Sequence, residues 1–428
     1  MKKSKKFVLA GFVLLAITMV LLPLSGCKND SVPETPAAKL VSISVTRPAR
    51  TVYSVGQSFD PTGMVVTATY NAGEPKDVTS LATTNFDTVA AGKGLGKEVT
   101  VSYTEGETTK TTTFTVTVFP AEVEVLIDYE SPNNTGNDCT YVAFGEWPQT
   151  EAVNFNPTTT PQSHGIFDGN YYVEGNDKYV EKDSKYYKVE PIVWRVLTTS
   201  YEAPEGGTVG EILLLAEKIL TGGIPYYVDT STRAITGAGT VYPNNWQYST
   251  IRAWLNGSYE ANDPQDTTYT NKGFLQTAFT ESAQKLIADT SVDNSAASTI
   301  PSGITDEDLE SYWNSGENPY ASDTPTKDKI FLLSEQEATN SEYGFAAYDA
   351  YGKGSTRIRV TTDYAKATEA YQSLTEGYGG WWWLRSPFYI HEGNARVINI
   401  NGVAGLNNRV SNAYVGVVPA LSISLGGN

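Results

Sequence analysis

Two histidines and two cysteines in 428 residues leave little for metal or nucleophile chemistry. Zinc sites, His-dependent triads and disulfide frameworks each need several such side chains at fixed spacings, and His164, His391, Cys27 and Cys139 do not supply them. No glycine-rich phosphate cradle precedes a helix, and no twelve-residue calcium loop occurs. The acidic run Asp306, Glu307, Asp308 and Glu310 has the spacing of a solvated helix face. Paired carboxylates for glycoside cleavage have a spatial signature, and nothing in the sequence points to a pair. No catalytic residue, no metal ligand and no cofactor is therefore expected. The 48 acidic against 31 basic residues, a net charge of −17, argue against a nucleic-acid partner, because no basic stripe faces a phosphate backbone.

Recognition chemistry is better supplied. Phe388, Tyr389 and His391 are followed by Asn394, Asn399, Asn407, Asn408, Ser411, Asn412 and Tyr414, with six asparagines between 394 and 412. Tyrosine gives a large rigid contact surface, and Asn and Ser give adaptable hydrogen bonds, which is paratope composition. The competing reading is that Asn and Gly are turn residues, Asn401-Gly402 being a strong hairpin signal between Ile400 and Val403. In Trp381-Trp382-Trp383, strand alternation sends Trp382 to one face and the other two to the opposite one. Trp383 is expected in the core, and Trp381 joins the candidate ligand-binding residues. Arg385 is expected in a structural pair rather than on a ligand.

These residues need a scaffold, and composition divides the chain in two. All eight Trp lie after residue 146, and only Tyr53, Tyr70 and Tyr103 of the 27 Tyr fall between residues 40 and 119. In that stretch apolar residues alternate with Thr and Ser: Val41, Ile43, Val45; Met64, Val66, Ala68, Tyr70; Val99, Val101, Tyr103; Phe114, Val116, Val118. Short alternating strands with Gly and Pro turns and no helical stretch predict an antiparallel sandwich. After a linker at 120–138, residues 139–428 mix types. Pro191–Leu197, Glu211–Leu215 and Lys329–Leu333 read as strands, and Ser249–Leu255 and Glu281–Ile287 as helices. Ser334 with Glu337 is a capping box that starts another helix. The irregular order predicts an α+β domain.

The N-terminus carries a localisation signal. Lys2, Lys3, Lys5 and Lys6 precede an apolar run from Phe7 to Leu24, and the segment ends Leu24-Ser25-Gly26-Cys27. That quartet resembles the lipobox of bacterial lipoproteins, which implies a signal peptide at 1–26 and diacylation of the Cys27 thiol. Acyl chains anchor by about 0.8 kcal/mol per buried methylene. Removing the signal takes away four positive charges and lowers the net charge from −17 to −21. Residues 27–39, with two Pro and little apolar content, read as a tether. Cys139 has no second Cys to pair with and reads as a small buried hydrophobe.

Two further resemblances follow. Tyr53-Ser-Val-Gly56 through Phe59-Asp60-Pro61-Thr-Gly63, closed by Thr-Val-Thr-Val, resembles bacterial immunoglobulin-like modules over residues 40–119. Ala143–Gln149, Val193–Leu197, Ile251–Asn256, Phe331–Ser334, Trp383-Leu-Arg-Ser-Pro387 and Gly416–Leu421 stand in the order of an uncharacterised domain of spirochaete and gut-bacterial lipoproteins. Val418 stands where that family usually has Arg. The domain is in turn similar to variable proteins of Treponema diversified by retroelements, which implies a C-type-lectin fold of the formylglycine-generating-enzyme subtype. Most of the residues at 388–414 are encodable by codons that adenine changes derive from AAC. The formylglycine enzyme needs a reactive Cys pair, absent here, so its catalysis does not carry over.

The expectation is thus an all-β immunoglobulin-like sandwich followed by an α+β C-type-lectin-like domain, on a lipid-anchored, outer-membrane, surface-exposed binding protein. Its partners would be a protein or glycan ligand and the membrane, through Cys27. The alternatives are a structural envelope lipoprotein without a specific ligand, and a divergent carbohydrate-active or sulfatase-modifying-like enzyme.

Overall fold

The computed structural model describes residues 38–133, 139–167, 169–201, 211–235, 237–257, 269–304, 318–348 and 354–425. Cys27 and the acidic run at 306–310 lie outside these residues. Among the described residues no helix is long and apolar enough to cross a membrane.

The period-two alternation becomes two facing sheets. One holds β1 (Leu40–Thr46), β3 (Val65–Tyr70) and β4 (Lys76–Asp77) in the order β1-β3-β4. The other holds β2 (Val52–Ser54), β5 (Thr83–Thr84), β6 (Gly94–Glu105) and β7 (Thr108–Phe119) in the order β2-β7-β6-β5. Val66, Ala68 and Tyr70 meet Val99, Val101, Tyr103, Phe114, Val116 and Val118 between them, and the Thr and Ser positions face outward. Two expectations are corrected. A register shift between Leu40 and Ser42 moves Val41 outward, 49% exposed, and Leu40 inward. The module also contains a helix, α1 (Phe86–Ala90), which buries Phe86 edge-on against Tyr53 at 4.6 Å.

The segment expected as a linker is partly built into the second domain, the head. β8 (Glu124–Leu126) pairs antiparallel with β9 (Tyr141–Glu151) of the head. On its other side the Ser54 hydroxyl donates to the Val123 carbonyl at 2.6 Å and accepts from Val125 N–H at 2.8 Å. Gln57 Nε2 adds a bond to the Val125 carbonyl at 2.9 Å. Glu122-Val123-Glu124-Val125 alternates with period two and buries both valines, but the run is short, and its pairing partners on both sides are what make it a strand.

β9 pairs with β12 (Lys185–Tyr201), a 17-residue strand that also pairs with β11 (Asp177–Lys182) and β13 (Glu211–Ala216). β10 (Tyr171–Glu174) flanks β11, and β22 (Ala420–Ser424) joins β13 to β18 (Ile330–Phe331). β13 is buried along its whole length, which its unbroken Ile-Leu-Leu-Leu run requires. The hairpin of β14 (Arg233–Ile235) with β15 (Gly239–Val241) and the two-stranded sheet of β16 (Thr290–Val292) with β17 (Thr326–Asp328) stand apart. So does a three-stranded sheet of β19 (Trp382–Pro387), β20 (Asn394–Ile398) and β21 (Leu406–Arg409).

The head's helices are short. α2 (Thr250–Asn256) is capped by Ser249 and stopped by Gly257 at φ 63°. α3 (Phe274–Ala278) was not anticipated, and α4 (Glu281–Gln284) ends before the expected Ile287, which instead bridges to Ile423. α5 (Glu335–Ala338) starts from the expected capping box, and α6 (Asp363–Ala367) from Thr362. The strand expected over Lys329–Leu333 is only the two residues of β18. Cys139 is half-buried rather than buried. Among the described residues the structure is mostly β with few helices.

Candidate functional site

β19 ends at Pro387 and β20 starts at Asn394, so Phe388–Gly393 form their connecting loop. Arg409 lies opposite Asn394, and a turn follows in which Asn412 N–H bonds the Arg409 carbonyl at 3.0 Å. Loop and turn therefore share one end of the small sheet. There the rings of Phe388 and Tyr389 meet at 5.3 Å and 67°. The Arg396 guanidinium lies 4.9 Å from the Phe388 centroid and 5.7 Å from that of Tyr389. Arg396 is 1% exposed, with Nε 2.9 Å from Oε2 of the buried Glu335. The aromatic pair thus rests on a buried ion pair and a cation–π contact, which fixes it in advance.

Around this pair the polar residues are mostly engaged with one another. Asn394 Nδ2 donates to Asn407 Oδ1 at 2.6 Å, and Asn412 Nδ2 to Asn408 Oδ1 at 2.9 Å. His391 is exposed, its Nδ1 accepting from Gly393 N–H at 3.2 Å, and Ser411 is exposed in the turn. Eight expected residues, Phe388, Tyr389, His391, Asn394, Asn407, Asn408, Ser411 and Asn412, come together here.

Three others stand elsewhere. Asn399 opens the hairpin at the opposite end of the sheet, where its Oδ1 accepts from Asn401 and Val403 N–H, both at 2.9 Å. That is the turn role, and it fills the side-chain acceptor with backbone. Trp381 lies at the same far end, since Trp382 pairs with Ile398; it is half-buried and its carbonyl accepts from Gly416 N–H. Trp382 and Trp383 are both fully buried, so alternation did not expose a ring. Tyr414 is 58% exposed beside Tyr371, whose N–H donates to the Tyr414 carbonyl at 3.0 Å.

Arg385 is in the structural pair expected of it. It is 2% exposed, bonds Glu337 at 2.5 Å, and donates to the Leu332 and Asp293 carbonyls. Burial pushes the Glu337 carboxyl up, but Arg385, the Ser334 N–H and the Tyr201 hydroxyl outweigh it and hold its pKa below the usual range.

A second place was not legible from the sequence. A cleft of about 390 Å³ lies over Trp147, Trp254 and Tyr364, walled by Ile166, Phe167, Thr221–Ile224 and Ala367–Glu369, with Lys182 and Asp183 at its rim. Two backbone features shape it. Gly222 faces Ala370 so closely that a Cβ would stand 2.2 Å from the Ala370 N. α6 ends with Glu369 N–H bonding the Lys366 carbonyl and Ala370 N–H bonding that of Ala365, a Schellman stop. Glycine usually occupies the left-handed position of that motif, yet here it is Glu369 at φ 77°, which costs about 1–2 kcal/mol relative to a relaxed backbone. Contributors from residue 147 to residue 369 share no local pattern. The nearest sequence signals are the Thr362 cap and the Asp183-Ser184 turn.

A third, more open cavity of about 590 Å³ carries Glu146, His164, Lys178 and Glu281, with Glu122 from the segment that joins module and head. Glu146 is paired with Lys178 there. His164 stacks edge-on against Tyr171 at 4.6 Å; burial lowers its pKa and the Glu146 carboxylate partly offsets this. Among the described residues no group of three or more His, Cys, Asp or Glu could hold a metal ion.

Comparison with known families agrees with the two-part architecture. A family described as a domain of unknown function, DUF6273, matches residues 209–425, and the group 3 bacterial Ig-like domain matches residues 46–118. The exo-beta-1,6-galactobiohydrolase of Bifidobacterium longum subsp. longum is 36% identical over 106 residues, which is 23% of this chain. The matched stretch spans 6% of that protein's length.

Proposed function

We propose a binding function without bond-making chemistry for this chain, which belongs to the DUF6273 family of domains of unknown function and carries a bacterial Ig-like module ahead of that domain. In this reading a diacylated Cys27 holds the chain on an outer membrane, the module lifts the head into the extracellular space, and the loops at 388–394 and 407–412 meet a protein or glycan ligand. The bacterial Ig-like module supports an extracellular or surface location. The observation that carries the binding reading is the Phe388, Tyr389 and Arg396 stack. Two aromatic rings at a sheet end are held by a buried guanidinium, so little ordering entropy remains for a ligand to remove.

The proposal extends to a C-type-lectin-like head of the formylglycine-generating-enzyme subtype, whose end loops a retroelement diversifies. Its support is the concentration of eight paratope-type residues at one end of a rigid sheet. The test has two parts. Tyr389→Ala with His391→Ala in the full chain is expected to lower binding to host or neighbouring-cell surfaces; unchanged binding overturns the reading in favour of a structural envelope lipoprotein. Sequencing the flanking DNA is expected to reveal a reverse transcriptase and an adenine-variable copy of the segment after Pro387; their absence makes the face a fixed one.

The galactobiohydrolase similarity favours a second, carbohydrate-active reading, over a stretch too short to carry that enzyme's activity across. Product formation from a glycan panel above a heat-killed control would establish it.

A further inference from the structure

We infer that the cleft between Asp183 and Glu369 is a carbohydrate-binding site for a neutral oligosaccharide, extended outward by a platform of Tyr371 and Tyr414. It is separate from the 388–412 loops on which the proposed function rests.

The space and its lining fit a sugar. At about 390 Å³ the cleft falls within the roughly 300–1,000 Å³ typical of small-molecule sites. A pyranose presents an apolar C–H face and a ring of hydroxyls, and so needs an apolar wall and dispersed polar groups together. Half-buried Ile166 and Phe167 form the wall, and Lys182, Asp183 and Glu369 the polar groups, while the Thr368 hydroxyl is taken up by Gly222 N–H and the Tyr364 and Ala365 carbonyls. Trp147 and Trp254 lie beneath, 1% and 2% exposed, too buried to stack on a ligand but placed to report one by fluorescence.

The surface outside the cleft continues the same chemistry. Tyr371 is 47% exposed, Tyr414 58% and Leu374 fully exposed, an uncommon concentration of large apolar side chains in water. The Tyr371 N–H to Tyr414 carbonyl bond joins the two tyrosine backbones. Ala413, next to Tyr414, accepts from Gly223 N–H of the cleft wall at 2.8 Å, and Glu369 of the rim precedes Tyr371 by two residues. Platform and cleft are therefore joined through the backbone, which places the two tyrosines next to the cleft wall.

Glu369 supplies the independent sign that this rim is used. It holds a left-handed position that glycine takes without strain, and among the described residues no hydrogen bond or ion pair engages its carboxylate. A strained residue without a structural partner points to a ligand. Charge sets the ligand class. Two rim carboxylates face one ammonium, that of Lys182, 4.0 Å from Asp183 Oδ1, so an acidic sugar is repelled and a neutral one is not.

The full chain should be titrated with cellotriose, mannotriose and β-1,4-galactotriose, and with trigalacturonate as the charged comparison, by calorimetry and tryptophan fluorescence. At least one neutral trisaccharide is expected to bind and to perturb the fluorescence, with trigalacturonate at least tenfold weaker. Tyr371→Ala with Tyr414→Ala should weaken binding at least tenfold. Glu369→Gly should weaken it severalfold while raising the thermal midpoint, an outcome that a purely structural role for Glu369 would not give. The inference is overturned if no neutral trisaccharide binds the folded chain at millimolar concentration, if these substitutions leave binding unchanged, or if trigalacturonate binds better. Tyr389→Ala with His391→Ala should leave the titrations unaltered, so this inference and the proposed function fail separately.

Discussion

The Ig-like module and the head solve the same problem with different interiors. The module's core is Val, Tyr, Phe, Leu, Ile, Met and Ala, and among its described residues only Ser54 is a buried polar side chain. The head buries Arg195, Arg357, Arg359, Arg385 and Arg396 and nearly buries Arg252, with Glu217, Asp328, Glu335 and Glu337 on or near them. The difference follows from backbone accounting. Regular strands satisfy their own N–H and C=O groups, whereas the head's irregular segments leave carbonyls inside that need donors. A guanidinium offers five. Arg357 serves the carbonyls of Gly402 and Ala346, Arg359 those of Ala216 and Ile358, and Arg385 those of Leu332 and Asp293. Burying charge specifies one arrangement of loops where hydrophobic contact alone would accept several.

That contrast can be broken by substitution. Arg385→Leu should cost the head about 3–5 kcal/mol, since it strands the buried Glu337 charge and two carbonyls. Every tryptophan lies after residue 146, so fluorescence-detected denaturation reads the head. The same pair gives a pH test. Glu337 binds its proton more weakly folded than unfolded, so its contribution is complete above the ordinary value of 4.5 and is lost as pH falls through the lower folded value. The head's midpoint should therefore drop on acidification below that point, and a flat profile would remove the pair from the account. Val101→Ala in the module should cost about 2 kcal/mol by methyl loss and cavity, visible in far-ultraviolet dichroism. Ser54→Ala should cost about 1–2 kcal/mol, and it should pull the two unfolding transitions apart by removing both bonds to the Val123–Val125 segment. The smallest effect, about 0.5–1 kcal/mol, is expected for Asn399→Ala, with surface binding unchanged because its acceptor serves only the hairpin.

The two interiors were unequally legible in the sequence. Where burial alternates with period two, as at Met64–Tyr70, Val99–Tyr103 and Phe114–Val118, the sequence names the core directly. It failed at Val41 because a bulge resets the face, and at Phe86–Ala90 because five residues are too few for a helical period. In the head, local chemistry was readable: the helix expected over Ser249–Leu255, the Ser334–Glu337 box and the expectation that Arg385 is paired. Its partner Glu337, 48 residues away, was not, because ion pairing has no period. The loops proposed to bind were half legible. Eight of the eleven expected residues gather at one sheet end, whereas Trp381, Asn399 and Tyr414 were adjacent in composition but not in space. The cleft escaped altogether, since its lining comes from six separated segments, three of which precede the family match.

Strand β8 has a mechanical consequence. Under the proposed function, a chain held by its N-terminal end and bound through its head would pass a pull from one to the other through residues 120–126. Three residues there are clamped between β9 on one side and Ser54 and Gln57 on the other. Tension therefore loads several hydrogen bonds together rather than drawing on a slack hinge, and the head cannot swing freely about the module while they hold. Such a joint keeps its bearing in flow, which a chain of flexible residues would not.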